Sequence, residues 1–353
     1  MGLFGSIFKK EKKYKGYFEV SISKILPLNK SAVKIEFNIP EKLRSKFNFI
    51  AGQFINILVE INGKEERRSY SICSTNEESL AVGIKCVKGG IVSNWFNEQA
   101  KEGTLLFISE AQGNFKVPNE AKNIAVIAAG SGITPILSIL KSKNNTQSMH
   151  LLYGNRSKEE AMFLDELDLL KNIKTSLFFS QIYEPDAIKG RIDKLNLSKL
   201  IKSDLTFLQK DAFLICGPEE MILGCIEALE FYGIAEDKII YELFTSPVKL
   251  GVGKDKKDFC GTSELAVTLD DEDFLMAIEN DSITILDAIE EEGMDSPYSC
   301  RGGVCCSCKA KVLEGSADMK LNYSLSDDEV KEGYILTCQA FPTSSKVKIT
   351  FDE

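Results

Sequence analysis

The sequence predicts a multidomain chain: a small antiparallel β-barrel, then a doubly wound α/β domain on a parallel sheet, then an acidic α+β domain. Three observations predict it. Residues 17–118 carry many short segments that alternate apolar and polar side chains, with a single helical stretch. Residues 119–245 change rhythm to apolar strand followed by helix, the pattern of a parallel sheet. Residues 263–353 hold 20 acidic and 7 basic residues, a balance of −13 in a chain of net charge −9, so the remainder carries +4. A length of 353 residues supplies enough chain for two or three cores of this size.

Taken in order, residues 1–16 read as a basic tail with five lysines between positions 9 and 15. Met1-Gly2 with Ser6 fits the formal pattern for N-myristoylation beside a polybasic signal, but a frayed tail is the preferred reading. In the barrel, Phe18–Ile22 and Val33–Phe37 alternate as half-buried strands do. Gln53–Ile61, Arg68–Cys73, Leu80–Val87 and Thr104–Ile108 are further strand candidates, and Val92–Ala100 is the helix. In the second domain the apolar runs are Ile124–Ala129, Met149–Tyr153, Thr175–Ser180 and Ala212–Cys216. Helices are expected at Pro135–Leu140 and at Ala161–Leu170, where Phe163, Leu167 and Leu170 share a face. Residues 246–262, rich in Lys, Gly and Asp, read as a linker. The last domain (263–353) shows strands at Leu265–Leu269, Phe274–Ile278, Lys309–Leu313 and Val347–Phe351, with a helix at Ile285–Glu291.

Composition removes several function classes. Apolar content of 44% and charged content of 27% are those of a soluble globular protein. No apolar run approaches the roughly 20 residues of a membrane span, and no cleavable signal peptide is visible. Ten cysteines without a secretory signal imply reduced thiols in the cytoplasm. The acidity argues against nucleic acid and suits either a basic partner surface or plain solubility. His150 is the single histidine, which excludes a Rieske centre and a two-histidine zinc protease. It opens the run His150-Leu151-Leu152-Tyr153 and reads as an incidental strand residue.

Chemistry concentrates in the last domain. Cys300, Cys305 and Cys308 are spaced C-x4-C-x2-C, and Cys338 follows thirty positions after Cys308. This is the plant-type ligand spacing of a [2Fe–2S] cluster. A structural zinc site would show a second C-x2-C or Cys/His pair, and none is present. Gly302 and Gly303 permit left-handed backbone and bring peptide N–H groups near the sulfurs. Cys306 lies between the ligand positions and reads as an extra thiol outside the ligand set.

Two more regions carry short motifs. Arg68-Ser69-Tyr70-Ser71 places Arg68 and Tyr70 on one side of a strand and Ser71 across it or at its end. An Arg can clamp a phosphate, a Tyr can lie on a flat ring, and a Ser hydroxyl can donate to a ring nitrogen. Lys85, Val87, Gly90, Val92 and Ser93 belong to a glycine turn that opens a helix, whose N–H groups can hold an anion. Gly130-Ser131-Gly132-Ile133-Thr134-Pro135 joins a strand to a helix in the same manner, and Cys216-Gly217-Pro218 repeats it. The helix after Cys216 is expected to lower that thiol's pKa. Arg156, Ser157 and Arg191 offer a grip for a 2′-phosphate, which favours NADPH over NADH.

Together with Gly113-Asn114-Phe115, Cys216-Gly217-Pro218-Glu219 and Glu242-x-Phe244, these motifs resemble the ferredoxin–NADP reductase family over residues 17–245. The rest resembles a plant-type ferredoxin, a β-grasp fold. Leu321-Asn322-Tyr323 and Gly333–Gln339 are similar to the ferredoxin-like tail of oxygenase reductases. The resemblance implies an FAD-binding barrel in which Arg68 holds the flavin phosphates, Tyr70 packs on the isoalloxazine and Ser71 approaches N5. Ser69, Lys85, Val87, Gly90 and Phe244 complete that site, with Val92 and Ser93 capping the pyrophosphate. It implies an NADP site at Gly130, Gly132, Thr134, Pro135, Arg156, Ser157, Arg191, Gly217 and Pro218. Cys216 would lie beside the nicotinamide, and Ser71, Cys216 and Glu242 are the implied catalytic residues.

The implied path runs from NADPH through FAD to the cluster, at a potential near ~−400 mV, and out to an oxygenase component. The implied acceptor is the di-iron epoxidase that acts on phenylacetyl-coenzyme A. An NADH-dependent reductase for a ring-hydroxylating dioxygenase or a hybrid-cluster protein is the alternative within this class. A redox sensor is the alternative outside it, disfavoured by three complete cofactor sites.

Overall fold

The computed structural model describes residues 14, 16–144, 146–171, 173–244, 261–279 and 283–352. Its first sheet follows from alternation. β1 (Tyr17–Asn29), β2 (Ala32–Asn38), β3 (Phe54–Ile61), β4 (Lys64–Ser71), β5 (Ala81–Lys85) and β6 (Leu105–Ser109) pair antiparallel in the order β4-β3-β6-β1-β2-β5. Alternate residues such as Ile22, Ile35, Phe37, Ile57, Ile84 and Ile108 enter a shared core. The two edges then meet: Ile72 bridges Val82, and the Cys73 N–H donates to the Ala81 carbonyl at 2.9 Å. The sheet is an incompletely closed barrel, plugged by Val92 and Phe96 of α1 (Ile91–Glu98).

β4 begins four residues before the expected Arg68. The reason is local: Asn62 and Gly63 both take positive φ, 54° and 76°, and form a two-residue hairpin turn that fixes the β3–β4 register from Ile61↔Lys64 onward. At the tail, Tyr14 lies against the barrel. Its hydroxyl donates to the Glu65 carboxylate at 2.7 Å, and its ring meets Phe107 edge-on. The rest of the tail apart from Gly16 lies outside the described residues, as does the linker up to residue 260.

The second sheet is wholly parallel. β7 (Asn123–Ala129), α2 (Ile133–Ser142), β8 (Ser148–Asn155), α3 (Leu164–Asp168), β9 (Ile173–Phe179), β10 (Ile188–Lys189), α4 (Lys194–Ser203), β11 (Ala212–Cys216), α5 (Glu219–Phe231) and β12 (Ile239–Glu242) give the order β10-β9-β8-β7-β11-β12. Apolar clusters cover both of its faces, as helices on each side require. The order reverses at β7, so the crevice between the ends of β7 and β11 is the topological switch point.

α3 is shorter than the expected Ala161–Leu170. Phe163 sits at φ 63°, which no helix continues through, and its ring is used elsewhere. A Cβ on Gly83 of the barrel would lie 2.8 Å from Phe163 Cζ, so Phe163 packs into a notch that only glycine leaves open. Phe163, Leu167 and Leu170 do pack in one core, but the left-handed backbone at Phe163 lets the helix begin only at Leu164.

The third domain places the hairpin of β13 (Thr262–Leu269) and β14 (Glu272–Glu279) around α6 (Ile285–Glu291). β15 (Lys309–Glu314), β16 (Ala317–Met319), α7 (Asp327–Lys331), β17 (Tyr334–Leu336), β18 (Ala340–Pro342) and β19 (Lys346–Thr350) complete it. The main sheet runs β14-β13-β19-β15-β17, with β19 parallel to β13, which is a β-grasp arrangement. α6 starts at a capping box in which Thr284 and Asp287 satisfy each other's N–H groups. Among the described residues, no helix is long and apolar enough to cross a membrane.

One buried hydroxyl ties the switch point to the core. Tyr153 Oη accepts the Met162 N–H at 3.0 Å and lies 3.3 Å from the Gly130 carbonyl. Tyr153→Phe strands that buried N–H, and a loss of about 1–3 kcal/mol in unfolding free energy is expected by urea titration.

Candidate functional site

β4 serves two sides. Arg68 and Tyr70 share one side, as expected, and Arg67, Ser69 and Ser71 line the other. The Arg68 guanidinium faces solvent, donates to the Arg67 carbonyl at 2.6 Å and pairs with Glu66 at 3.1 Å. Tyr70 is half-buried with its edge to Phe96, and burial pushes its phenol above the usual range. Ser71 closes the strand and donates to Glu242 Oε2 at 3.3 Å.

The turn before α1 fits a phosphate. Gly90 caps the helix without a side-chain hydrogen bond, and the first turn holds no acidic residue. The amide donors there are therefore open. Ser93 braces the turn by accepting the Val87 N–H at 3.2 Å, and a Cβ on Gly90 would stand 2.5 Å from the Ser93 hydroxyl. The Val92 side chain is spent in the barrel core, so its backbone is what it offers. Lys85 is half-buried at the end of β5, and Val87 is exposed.

At the switch point, two glycine turns touch. Gly130 takes φ 54°, and Gly132 lies so close to the next turn that a Cβ would be 2.1 Å from the Cys216 carbonyl oxygen. α2 begins without a capping side chain or an acidic first turn, with Thr134 donating to the Ser131 carbonyl at 3.0 Å and Pro135 in the first turn. α5 begins after Pro218 with Glu219 and Glu220 in its first turn. Of the two helix starts, α2 suits a phosphate and α5 does not. Gly217 instead allows the chain to pass Met221 and Ala129.

Cys216 and Glu242 are neighbours in register across β11 and β12. The expected lowering of the Cys216 pKa is overturned. Complete burial pushes the thiol well up, and Glu242 adds to it, so the pull of the α5 N-terminus loses to desolvation. Burial also pushes Glu242 up to about 8, offset only by the Ser71 hydrogen bond. Phe244, two residues on, is partly exposed. Beyond β8, Arg156 is exposed with Glu160 at 3.8 Å, Ser157 is buried with its hydroxyl engaged by Glu159, and Arg191 is exposed ahead of α4. His150 lies in β8, bonded to Ser176 at 3.0 Å and pushed down to about 4 by burial, so it stays neutral.

In the third domain the four expected thiols come together. Cys305, Cys308 and Cys338 are buried and Cys300 half-buried. Neighbouring thiols perturb one another in a row, Cys305 beside Cys300, Cys300 beside Cys338, and Cys338 beside Cys308. Among the described residues no three acidic, Cys or His side chains gather round one point for a single ion. A row of paired thiols, with Gly302 N–H donating to Cys300 Sγ at 3.3 Å, fits a two-iron cluster with two sulfurs on each metal. The loop needs left-handed backbone at Arg301, Gly303 and Cys306, with φ of 52°, 76° and 50°. Cys306 stands outside the row beside Ser324, and burial pushes its thiol up to about 11.

The loop ahead of these ligands lies on β4. Arg67 Nη2 meets Asp295 Oδ1 at 2.6 Å, and Nη1 donates to the Ser296 carbonyl at 3.2 Å. Ser69 Oγ donates to Asn56 at 2.6 Å and stands 2.9 Å from Ser299 Oγ. Asn114 donates to the Ser324 carbonyl at 3.2 Å, and Val304 and Tyr323 pack against the nucleotide-domain core. A cavity of about 430 Å³ opens at this junction, bordered by Phe54, Asn114, Glu242, Cys306 and Tyr323. Arg67, Asp295 and Ser299 were not among the expected residues. The doubled arginine ahead of Tyr70 was their one sequence signal.

Comparison with known proteins agrees with this geometry. Family models match in order: an oxidoreductase FAD-binding domain over residues 19–117, an oxidoreductase NAD-binding domain over 126–226, and a 2Fe–2S iron–sulfur cluster binding domain over 267–343. A subunit of the 1,2-phenylacetyl-CoA epoxidase of Escherichia coli (strain K12) is 35% identical over 95% of this chain and 98% of its own. The ferredoxin reductase component of 3-ketosteroid-9-alpha-monooxygenase from Mycolicibacterium smegmatis is 29% identical over 95% and 97%. Phthalate dioxygenase reductase, solved as a modular structure for electron transfer from pyridine nucleotides to [2Fe–2S], covers 95% of this chain and 98% of its own at 21% identity. Its TM-score of 0.59 shows a shared fold. The chain is thus an oxidoreductase of the ferredoxin–NADP reductase family, in the group that carries a C-terminal plant-type [2Fe–2S] ferredoxin domain and includes that epoxidase subunit.

Proposed function

We propose that this reductase takes electrons from NADPH and passes them through FAD and the [2Fe–2S] cluster to the di-iron epoxidase of phenylacetyl-coenzyme A in the cytoplasm. The observation that carries the reading is the double use of β4. One strand carries Arg68 and Tyr70, which we assign to the flavin, on one side, and on the other holds the cluster loop through Arg67 and Ser69 and meets Glu242 through Ser71 at its end. Bound flavin accepts a hydride and releases single electrons, the conversion needed between a nicotinamide and a cluster.

The chain's residues divide the remaining work. Arg68 and the open N–H groups of α1 hold the flavin phosphates, with Ser93 keeping the turn in shape. Tyr70 would pack on the flavin ring system. The α2 N-terminus holds the nicotinamide-nucleotide phosphates, and exposed Arg156 and Arg191 reach for the 2′-phosphate. Cys216 and Glu242 stay protonated at neutral pH and present neutral groups where the nicotinamide would lie. Asp287 and Glu290 beside Arg301, next to half-buried Cys300, give the cluster an acidic surround suited to a basic patch on the acceptor. Support for the acceptor comes from the likeness to the phenylacetyl-CoA epoxidase subunit over nearly the whole chain.

Coenzyme preference tests the nucleotide half. The ratio of kcat/KM for NADPH over NADH should exceed one and fall in Arg156→Ala; a wild-type ratio below one overturns the NADPH assignment. Cys305→Ala tests the exit. It should abolish reduction of the epoxidase component and cytochrome c while ferricyanide reduction at the flavin persists.

Glu242 gives a pH signature. Its carboxyl titrates near 4.5 in the unfolded chain and about 8 in the fold, so the folded state binds the extra proton between those values. Stability from this group is therefore full at low pH and lost as pH rises through that window. Glu242→Gln should flatten the fall in denaturation midpoint between those pH values, with an unchanged slope arguing for an ionised carboxylate.

A further inference from the structure

We propose that Arg67 is the positioning residue for the flavin-to-cluster step, acting as the latch that holds the cluster loop on the flavin strand. The inference rests on the electron path proposed above. Arg67 is 7% exposed although it stands next to an arginine that faces solvent. A guanidinium is buried at this cost only where partners meet its donors, and here every identified partner belongs to the segment just before Cys300 or to β1. Asp295 takes Nη2, the Ser296 carbonyl takes Nη1, and the Tyr298 ring lies 5.3 Å from the guanidinium carbon, with Tyr17 of β1 at 6.0 Å.

The contact continues into the ligand set. Tyr298 is also covered by Arg301, whose guanidinium lies 4.5 Å from the ring. Arg301 follows Cys300 directly, and its carbonyl accepts a hydrogen bond at 3.0 Å from the side chain of Gln339, the residue after Cys338. A row of Arg67, Tyr298 and Arg301 thus runs from β4 to two of the four ligands. A nicotinamide hydride would supply two electrons and a proton released to solvent; the first electron would reduce the cluster, and the second would follow once the protein acceptor had taken the first. Arg67 belongs to neither set of residues proposed to hold a cofactor. It fixes the distance between the two sites by fixing the loop.

The test uses full-length holoenzyme under anaerobic conditions, with Arg67→Met, Arg67→Lys and Asp295→Asn. Hydrogen exchange of residues 295–305 is the first readout, and it needs no turnover. Loss of the charge-assisted bonds should raise exchange there on the order of tenfold in Arg67→Met. Single-turnover cluster reduction should slow on the order of tenfold, with flavin bleaching by the nicotinamide within about twofold of wild type. Arg67→Lys should recover part of both effects. Unchanged exchange and unchanged cluster reduction in Arg67→Met overturn the latch. Should Arg67→Met also lose flavin bleaching, Asp295→Asn decides: a slowed cluster step supports the latch, and a wild-type rate overturns it. Absence of nicotinamide-dependent bleaching in the wild type would sink the proposed electron path instead, while the exchange comparison would still judge Arg67.

Discussion

The period-two alternation of β4 is the constraint on which the rest of the site depends. A strand sends successive side chains to opposite sides, and the β3–β4 register is pinned by the Asn62-Gly63 turn. A slip of one residue would exchange the two rows, carrying Arg67 to the side of Tyr70 and Arg68 to the cluster loop. The antiparallel barrel thereby does more than supply a flavin platform. It sets which residues face each of the other two domains.

Desolvation is the second organising force. Glu242, Cys216 and His150 lie on the nucleotide sheet, and burial keeps each in its neutral form. For Cys216 this outweighs the favourable end of α5, whose own first turn carries two glutamates. The paired Cys216 and Glu242 on β11 and β12 are accordingly neutral, while Arg68 on β4 and Arg156 just beyond β8 carry exposed charge.

Much of this was legible in the sequence because it depends on local pattern. β11 and α6 fall on the expected residues, since an uninterrupted apolar run and a capped amphipathic turn each signal themselves. The cysteine spacing likewise named the thiols that the loop brings into a row. What escaped was tertiary. Arg67 meets a carboxylate 228 positions away, and no window of sequence contains both. Phe163 kept helical spacing while packing into the notch at Gly83, so periodicity overstated α3. The Cys216 pKa was misjudged because proximity to a helix start is visible in sequence and full burial is not.

The buried hydroxyl of Ser296 has no hydrogen-bond partner among the described residues, although its carbonyl serves Arg67. It sits in the same short segment, Asp295 to Ser299, that makes the cluster domain's contacts with β4. Exchange of this ferredoxin module for another would thus be limited by a handful of loop residues more than by the tether. A grafted module would need a carboxylate and an aromatic ring at the places of Asp295 and Tyr298, and would be free to improve on Ser296. Compatibility between modules is written in the approach to the first cysteine.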